Sequence, residues 1–325
     1  MHRRCFASAL VSLLLAGSAA HAATDYPTRP ITVIVPHAAG GPTDTVSRLV
    51  AESMTQTLGQ PVVIENAGGA GSTVGTARAA RAEPDGYTLL INHVAQATSA
   101  TLYRKLAYDP DGAFDGVGLI TDVPMTVVAR GDFEPSTVGE LLDYIRAKQD
   151  DVTYAHAGVG SASHLCGMLL MDAIDVSMTT VPYKGTGPAM TDLLGGQVDM
   201  MCDQTTNTIP QIKSGKIKGY AVTTRERLPV LPDLPTLDEA GLEGFEMTVW
   251  HGLYAPAGTP KEIIEELSSA LQVALKDPKV IERMAQLGTA PVAPDQATPA
   301  ALDQHLAAEI SKWKPIIQAA GAYAD

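Results

Sequence analysis

Three glycine-bearing loops carry most of the residues whose types and spacing could bind a ligand. Each loop follows a predicted strand and leads into a predicted helix, and the three span residues 37–44, 158–164 and 183–188. Such a loop presents unpaired backbone N–H groups at the positive end of a helix dipole, where a carboxylate or phosphate is favoured. Glycine also makes ordinary tight turns, which is the commoner explanation for any one loop. Three such loops in one chain favour a site for a small anion.

The sequence lacks the motifs that mark covalent catalysis and nucleotide binding. Neither a Walker A sequence nor a G-x-S-x-G nucleophile motif is present. Gly69, Gly71 and Gly75 are spaced one residue too widely for the dinucleotide-binding pattern G-x-G-x-x-G. Ser163 and His164 are sequence neighbours, which point in different directions on a helix and make a poor catalytic pair. We therefore predict that the protein is not an enzyme and uses no cofactor.

The eight histidines are scattered along the chain, and no H-E-x-x-H motif joins any two of them. No metal site is expected. Four of these histidines lie near predicted strand ends, where they could donate to a ligand: His37, His93, His156 and His164. Taken singly, each is better explained as a buried structural histidine.

Behind the loops, short apolar runs alternate with stretches of helical periodicity. Strands are predicted at residues 31–36, 61–65, 87–92, 117–120, 125–129, 152–155, 179–182, 198–202, 218–223 and 245–255. Helices are predicted at residues 44–58, 71–82, 136–148, 162–173, 188–194, 207–213, 260–276 and 300–317. This βα alternation predicts the α/β class, with a mainly parallel sheet and helices on both of its faces.

Length and charge exclude several classes of function. The 325 residues suffice for two domains, and the 45% of hydrophobic residues is a globular composition. Acidic residues outnumber basic ones by 36 to 23, for a formal charge of −13. A nucleic-acid-binding protein needs a basic face, so no nucleic-acid partner is expected. No apolar run after the N-terminus reaches the length of a membrane span.

Residues 1–22 have the pattern of a cleaved export signal. Arg3 and Arg4 precede a short apolar stretch, which ends in small residues and an A-x-A cleavage pattern. Cleavage would shift the formal charge from −13 to −15 and would remove Cys5. In an oxidising compartment, Cys166 and Cys202 could form a disulfide, or they could stay as two buried free thiols. We predict the disulfide, because no third thiol competes for either partner.

Several motifs resemble those of the Bug/TctC family, the periplasmic solute-binding proteins of tripartite tricarboxylate transporters. They follow in order along nearly the whole chain after the export signal. They are Y-P-T-R-P at 26–30, A-G-G-P-T-D at 39–44, P-D-G-Y at 84–87, V-P-Y-K-G at 181–185, G-G-Q-V-D at 195–199 and P-A-G-T-P at 256–260.

The resemblance implies a type II periplasmic-binding-protein fold. Two α/β domains, joined by crossing hinge strands, would close on a ligand in the cleft between them. Domain 1 would comprise residues 23–124 plus 249–325, and domain 2 residues 125–248. A monomer of this kind would capture a small organic carboxylate and deliver it to the membrane permease subunits of the transporter. A periplasmic sensor that feeds a signalling receptor, or a secreted α/β enzyme, is the alternative.

The resemblance also implies the ligand-binding residues. From the first loop these are Ala38, Gly40, Gly41, Thr43 and Asp44, and from the opposite domain Ser161, Ser163, His164, Tyr183, Lys184, Gly185, Thr186 and Asp203. Backbone amides would hold a carboxylate, Asp44 would cap its own helix, and Lys184 is the one cation in these loops. Asp203 would suit a ligand that carries an amine or a hydroxyl group.

Two positions depart from the family pattern. His37 replaces a residue that is usually apolar or aromatic, and His93 lies in a stretch that is usually rich in glycine and threonine. Both add polar ring nitrogens to the wall of domain 1 and favour a ligand with polar or carboxylate groups at both ends. An aliphatic dicarboxylate fits this expectation, and so does a flat aromatic carboxylate packed against His93 or Tyr183.

Overall fold

The computed structural model describes residues 25–321, 323 and 324, and the predicted export signal lies outside them. The strands are β1 (Ile31–Val35), β2 (Val62–Asn66), β3 (Thr88–His93), β4 (Phe114–Arg130), β5 (Thr153–His156), β6 (Thr179–Pro182), β7 (Met200–Gln204), β8 (Ile217–Val222) and β9 (Thr248–Pro256). The helices are α1 (Pro42–Leu58), α2 (Thr73–Ala79), α3 (Ala95–Leu102), α4 (Val138–Lys148), α5 (Ala162–Ala173), α6 (Thr186–Leu194), α7 (Thr205–Lys213), α8 (Lys261–Ala274), α9 (Pro278–Gln286) and α10 (Pro299–Ala319). None of these helices is long and apolar enough to cross a membrane.

The strands form two sheet halves that share β4. The first half has the order β2-β1-β3-β9-β4, and in the second half β4 pairs with β8 on one side and with β7 on the other, followed by β5 and β6. The predicted α/β class is confirmed, but the predicted mainly parallel sheet is wrong. Every pairing made by β4 or β9 is antiparallel, and the other four are parallel. β4 and β9 carry the chain between the halves, and each is opposite in direction to the strands beside it.

β4 is one strand of 17 residues where the sequence predicted two short ones. The gap between the predicted strands at 117–120 and 125–129 contains Asp122 and Pro124. Asp122 stays paired with Trp250, and Pro124 with Thr248, because a proline removes only its own N–H from a ladder. β4 therefore crosses from one sheet half into the other without a turn.

Thr223, directly after β8, ties together the two strands that carry the chain between the sheet halves. Its backbone N–H donates to the Met125 carbonyl oxygen at 3.0 Å, and its Oγ1 accepts from the Met125 N–H at 3.1 Å. The same hydroxyl donates to the Met247 carbonyl oxygen, and the Met247 N–H donates back to Thr223. The side chain is fully buried. These bonds join β4, the end of β8 and the entry into β9 at one point.

Two helices were missed by the sequence analysis. In α3, six of eight residues are buried, so the segment has little of the one-sided periodicity on which the prediction depends. α9 is short and begins after Asp277, whose side chain accepts from the Lys279 N–H.

The predicted disulfide between Cys166 and Cys202 is confirmed. Both residues are fully buried, and their Cα atoms lie 6.1 Å apart across 36 positions of sequence. The bond fastens α5 to β7 within the second sheet half.

Candidate functional site

A pocket lies between the two sheet halves, beyond the carboxyl ends of β1, β3, β5 and β7. Ligands in open α/β sheets bind at this end of the strands. The pocket is lined by His37, Ala38, Gly41, Pro42, Thr43, His93, Ala157, Ser161, Ala162, Ser163, Thr186, Asp203 and Gln204.

Four helices begin at this pocket. α1 and α5 each contribute two first-turn residues to the lining, α6 contributes its first residue, and α7 contributes Gln204, the residue before its first turn. At α1, α6 and α7 the side chain of the N-cap residue accepts no hydrogen bond from the N–H groups of the first turn. The positive ends of these helix dipoles favour an anion. Among the described residues, no lysine or arginine lines the pocket.

The walls of the pocket are in contact across the cleft. The cavity between them measures about 20 Å³, which is room for about one water molecule. A Cβ added at Gly185 would lie 2.8 Å from the Ala38 side chain, and one at Gly187 would lie 2.8 Å from the Ala39 carbonyl oxygen. The loops therefore meet backbone to backbone, and a molecule larger than water can enter only when the two walls separate.

Two hydrogen bonds join α3 and its end to the facing loop. The Thr98 hydroxyl donates to the Gly160 carbonyl oxygen at 3.1 Å, and the Tyr103 hydroxyl donates to the Val159 carbonyl oxygen at 3.0 Å. These contacts hold the first sheet half against the second beside the pocket.

Three buried histidines form one group on the first wall. The rings of His37 and His93 are stacked with their centroids 4.4 Å apart, and the His251 ring meets His93 edge-on at 5.7 Å. Burial lowers the pKa of His37 to about 4 and that of His251 to about 3, and it holds the pKa of His93 well below its usual value. At neutral pH all three are uncharged, so none supplies a cation to a ligand.

The hydrogen bonds of two of these rings fix their tautomers. The Ala95 N–H donates to Nδ1 of His93 at 3.1 Å, which leaves the hydrogen of this neutral ring on Nε2. Nδ1 of His251 donates to the Val249 carbonyl oxygen at 3.2 Å, so its Nε2 accepts from the Thr43 hydroxyl at 3.3 Å. His93 therefore offers a donor, whereas both nitrogens of His251 have partners.

Asp203 is the acidic residue of the pocket. Its carboxylate accepts from the Gln204 N–H at 2.9 Å, from the Asn207 side-chain amide at 2.5 Å and from the Thr186 hydroxyl. Burial raises its pKa to about 7, and these hydrogen bonds oppose the shift. The group faces the pocket without a basic side chain against it.

The structure brings nine of the fifteen predicted ligand-binding residues to this pocket. They are His37, Ala38, Gly41, Thr43, His93, Ser161, Ser163, Thr186 and Asp203. Gly40, Asp44, His164, Tyr183, Lys184 and Gly185 do not line it. That the nine bind a ligand stays a prediction.

Asp44 serves the loop and not the pocket. Its side chain accepts from the Gly40 N–H at 3.0 Å, from the Asn66 amide at 3.0 Å and from Arg48. The N-cap of α1 is Gly41, so the predicted capping by Asp44 is corrected to an anchor for the residue before the cap.

Lys184 and Tyr183 face a separate outer groove of about 600 Å³. Lys184 is exposed, and the Tyr183 hydroxyl donates to the Asp192 carboxylate at 2.7 Å. His164 is partly buried beside His156, with ring centroids 4.9 Å apart, and its Nδ1 accepts from the Gly160 N–H. An aromatic ligand in the pocket would therefore not reach Tyr183.

The sequence analysis missed Pro42, Ala157, Ala162 and Gln204 as lining residues. Pro42 and Ala162 are the first residues of α1 and α5. Both lie inside glycine-bearing loops that the sequence analysis identified, but neither was selected as a binding residue. Gln204 carried no motif, and the predicted strand end at residue 202 placed it in a connecting loop. Among the described residues, no cluster of histidine, cysteine and acidic residues could hold a metal ion.

Comparisons with known proteins agree on one family. The family model described as "Tripartite tricarboxylate transporter family receptor" matches residues 46–322. A protein of Agrobacterium vitis, described as the UPF0065 protein in the TAR-I ttuE-ttuC' intergenic region, is 54% identical over 316 residues, which are 97% of this chain and 91% of that protein.

Two solved structures are similar over most of the chain. The periplasmic binding protein BugD has a TM-score of 0.90 at 52% identity, over 92% of this chain and 100% of that one. MatC of Rhodopseudomonas palustris, solved with bound malate, has a TM-score of 0.86 at 45% identity, over 90% of this chain and 100% of that one.

Proposed function

This chain belongs to the tripartite tricarboxylate transporter receptor family, and from that membership we propose that it is a periplasmic protein that captures a small dicarboxylate. Binding is by closure of two domains, residues 23–124 plus 249–325 and residues 125–248. The pairing of β4 supports these boundaries. Up to Pro124 the strand pairs with β9, and from Met125 onward it pairs with β7. The captured ligand passes unchanged to the permease subunits of a tripartite transporter.

One observation carries the proposal: four helix N-termini converge on a pocket that no basic side chain lines among the described residues. Backbone N–H groups and helix dipoles recognise a carboxylate without a counter-ion. This mode of binding suits a protein that must release its ligand again, because no buried ion pair has to be broken.

The polar lining of both walls favours an aliphatic dicarboxylate over an aromatic carboxylate. Both walls contribute polar groups, such as His93 on one side and Ser163 on the other, so each end of a short dicarboxylate meets donors. The malate bound to MatC is a ligand of this class in a protein of similar fold. The His37 ring stacks on one face of His93, which leaves that face unavailable to a flat aromatic ligand.

Calorimetric titration of the purified protein with four- to six-carbon dicarboxylates tests the proposal. We expect saturable binding of at least one of them, with recovery of the compound unchanged by NMR after prolonged incubation. Benzoate and terephthalate serve as aromatic controls. Chemical conversion of the ligand would instead indicate an enzyme, and absence of binding by every dicarboxylate would refute the proposed ligand class.

Whether the ligand is delivered to a transporter or to a signalling receptor is a separate question. Uptake of the radiolabelled dicarboxylate by cells that lack this protein distinguishes the transport role from the sensor role. Transport predicts that uptake falls in these cells and returns with the wild-type chain. Unchanged uptake with a lost transcriptional response would favour the sensor.

A further inference from the structure

His37 has an unpaired ring nitrogen in the pocket. The side chain is buried, with 7% of its surface exposed, and it lines the pocket. Nε2 is fully shielded and has no hydrogen-bond partner among the described residues. A buried polar atom of this kind is costly unless something pairs with it, so the ligand is the natural source of its partner.

The neighbouring Asn92 determines what this nitrogen can do. Nδ2 of Asn92 donates to Thr76 at 3.2 Å and to Gln96 at 3.1 Å, and Oδ1 accepts from the His93 N–H at 2.9 Å. Both amide hydrogens are therefore in use. The hydrogen bond between Asn92 and the His37 ring must run from the ring to Oδ1. Since Nε2 has no partner, the hydrogen lies on Nδ1, and Nε2 of the neutral ring is an acceptor.

An acceptor selects against a plain dicarboxylate. An ionised dicarboxylate offers only oxygen lone pairs, so none of its atoms can pair with Nε2 of His37. A ligand with a hydroxyl group on its carbon chain supplies the missing donor. Leaving a buried acceptor unpaired weakens binding by about tenfold or more relative to a ligand that pairs with it.

The pocket is less well equipped for an amino group. An ammonium has three donors and needs several acceptors or a full counter-charge. Asp203, the acidic residue here, already accepts from Gln204, Asn207 and Thr186. The other unpaired acceptor of the pocket, Oε1 of Gln204, is uncharged like Nε2 of His37, so the pocket offers acceptors to a hydroxyl group but no free carboxylate to an ammonium.

We propose that the pocket selects a 2-hydroxy dicarboxylate and that Nε2 of His37 accepts the hydrogen bond from its hydroxyl group. The inference rests on the proposed function and specifies its ligand class. His37 is thus a specificity-determining residue, and its contribution falls on the hydroxyl and not on the carboxylates.

Three four-carbon dicarboxylates that differ only at C2 test the inference: succinate, malate (each enantiomer) and L-aspartate. We expect the wild-type protein to bind one malate enantiomer at least about tenfold more tightly than succinate or aspartate. His37→Phe keeps a ring but removes the acceptor, so it should weaken malate binding and leave the succinate Kd within about threefold. His37→Gln can place an amide oxygen near the same position and should retain part of the preference.

His305→Phe is the matched control. His305 also has a buried, unpartnered Nε2, but it lies on α10 and does not line the pocket. This variant should keep the malate-to-succinate ratio of the wild type. The inference is overturned if the wild type binds succinate or aspartate as tightly as malate, or if His37→Phe weakens malate and succinate equally. The wild-type comparison decides even if a variant fails to fold. If no dicarboxylate binds, the proposed function fails as well.

Discussion

The proposed ligand is an anion, yet the residues around the pocket carry little positive charge. The buried histidines on its first wall are neutral because burial lowers their pKa values, and Lys184 lies outside on the surface. The chain as a whole has a formal charge of −13 and repels an anion at long range. Attraction must therefore come from backbone groups within a few ångströms of the ligand.

Gly41→Val tests the contribution of the first-loop backbone. A Cβ at Gly41 would lie 3.4 Å from the Thr186 hydroxyl across the cleft, so the two further methyl groups of valine would crowd the closing wall. We expect at least a tenfold loss of dicarboxylate affinity, about 1.4 kcal/mol, by calorimetry. Lys184→Ala should cost less. Normal binding by Gly41→Val together with loss of binding by Lys184→Ala would instead indicate a site that depends on the lysine charge.

Asp203 should make stability depend on pH. Burial raises its pKa to about 7 in the folded protein, above the value of about 3.9 expected in the unfolded chain. The folded state then binds the proton more tightly, so the contribution of Asp203 to the free energy of unfolding falls as pH rises from about 4 to 7.

Asp203→Asn removes this dependence. The free energy of unfolding of the variant minus that of wild type should increase by on the order of 2 kcal/mol from pH 5 to pH 8. Urea unfolding of both proteins at both pH values measures this difference. The comparison with wild type is needed because the buried histidines have lowered pKa values and act in the opposite direction. An equal difference between variant and wild type at both pH values would contradict the raised pKa.

At the scale of elements, the pocket depends on where helices begin. Asp44 holds the Gly40 N–H and Asn66, which fixes the loop before α1. Cys166 on α5 is bonded to Cys202 on β7, one residue before Asp203. The disulfide thus joins two elements whose ends both line the pocket.

Replacing both cysteines by alanine should lower the stability of the protein. The bond closes a loop across 36 positions, and its loss should reduce the free energy of unfolding by roughly 3–4 kcal/mol. Urea unfolding of the double variant and of wild type measures the difference in free energy. Wild type reduced under denaturing conditions is the control, because it lacks the bond but keeps both cysteine side chains. Two free thiols in denatured, non-reduced protein from the periplasm would contradict the bond.

At the scale of the whole molecule, the proposed domain closure would require backbone to meet backbone across the cleft. A Cβ added at Gly71, in the first sheet half, would lie 2.0 Å from the Val159 carbonyl oxygen of the facing loop. Tyr103 donates to the same carbonyl oxygen. Only a residue without a side chain permits this approach, so Gly71 determines whether the cleft can close fully.

Gly71→Ala should therefore weaken binding without touching the pocket. We expect the affinity for the bound dicarboxylate to fall at least tenfold, and the ligand-induced decrease in radius of gyration, measured by small-angle X-ray scattering, to be lost. Gly196→Ala is the matched control, because Gly196 also has a positive φ (70°, against 57° at Gly71) but has open space around its Cβ position. A normal affinity in Gly71→Ala would show that closure tolerates a side chain there.

The sequence by itself determined much of this protein. Local patterns located most helices and strands, because the periodicity of apolar residues follows directly from the geometry of each element. The order of the family motifs predicted the fold, and the two cysteines that remain after the export signal predicted the disulfide. The glycine loops and the two unusual histidines identified residues on both walls of the pocket, since these signals lie within short segments of chain.

Tertiary structure alone decided which polar groups meet and which are left unpaired. Lys184 and Tyr183 belong to a recognised motif, yet the turn before α6 directs them into the outer groove. His251 is distant in sequence and joins the histidine group only because β9 pairs with β3. The free acceptor on His37 depends on Asn92, whose own hydrogens are engaged by Thr76 and Gln96. Such outcomes depend on contacts between remote segments, which no local pattern in the sequence records.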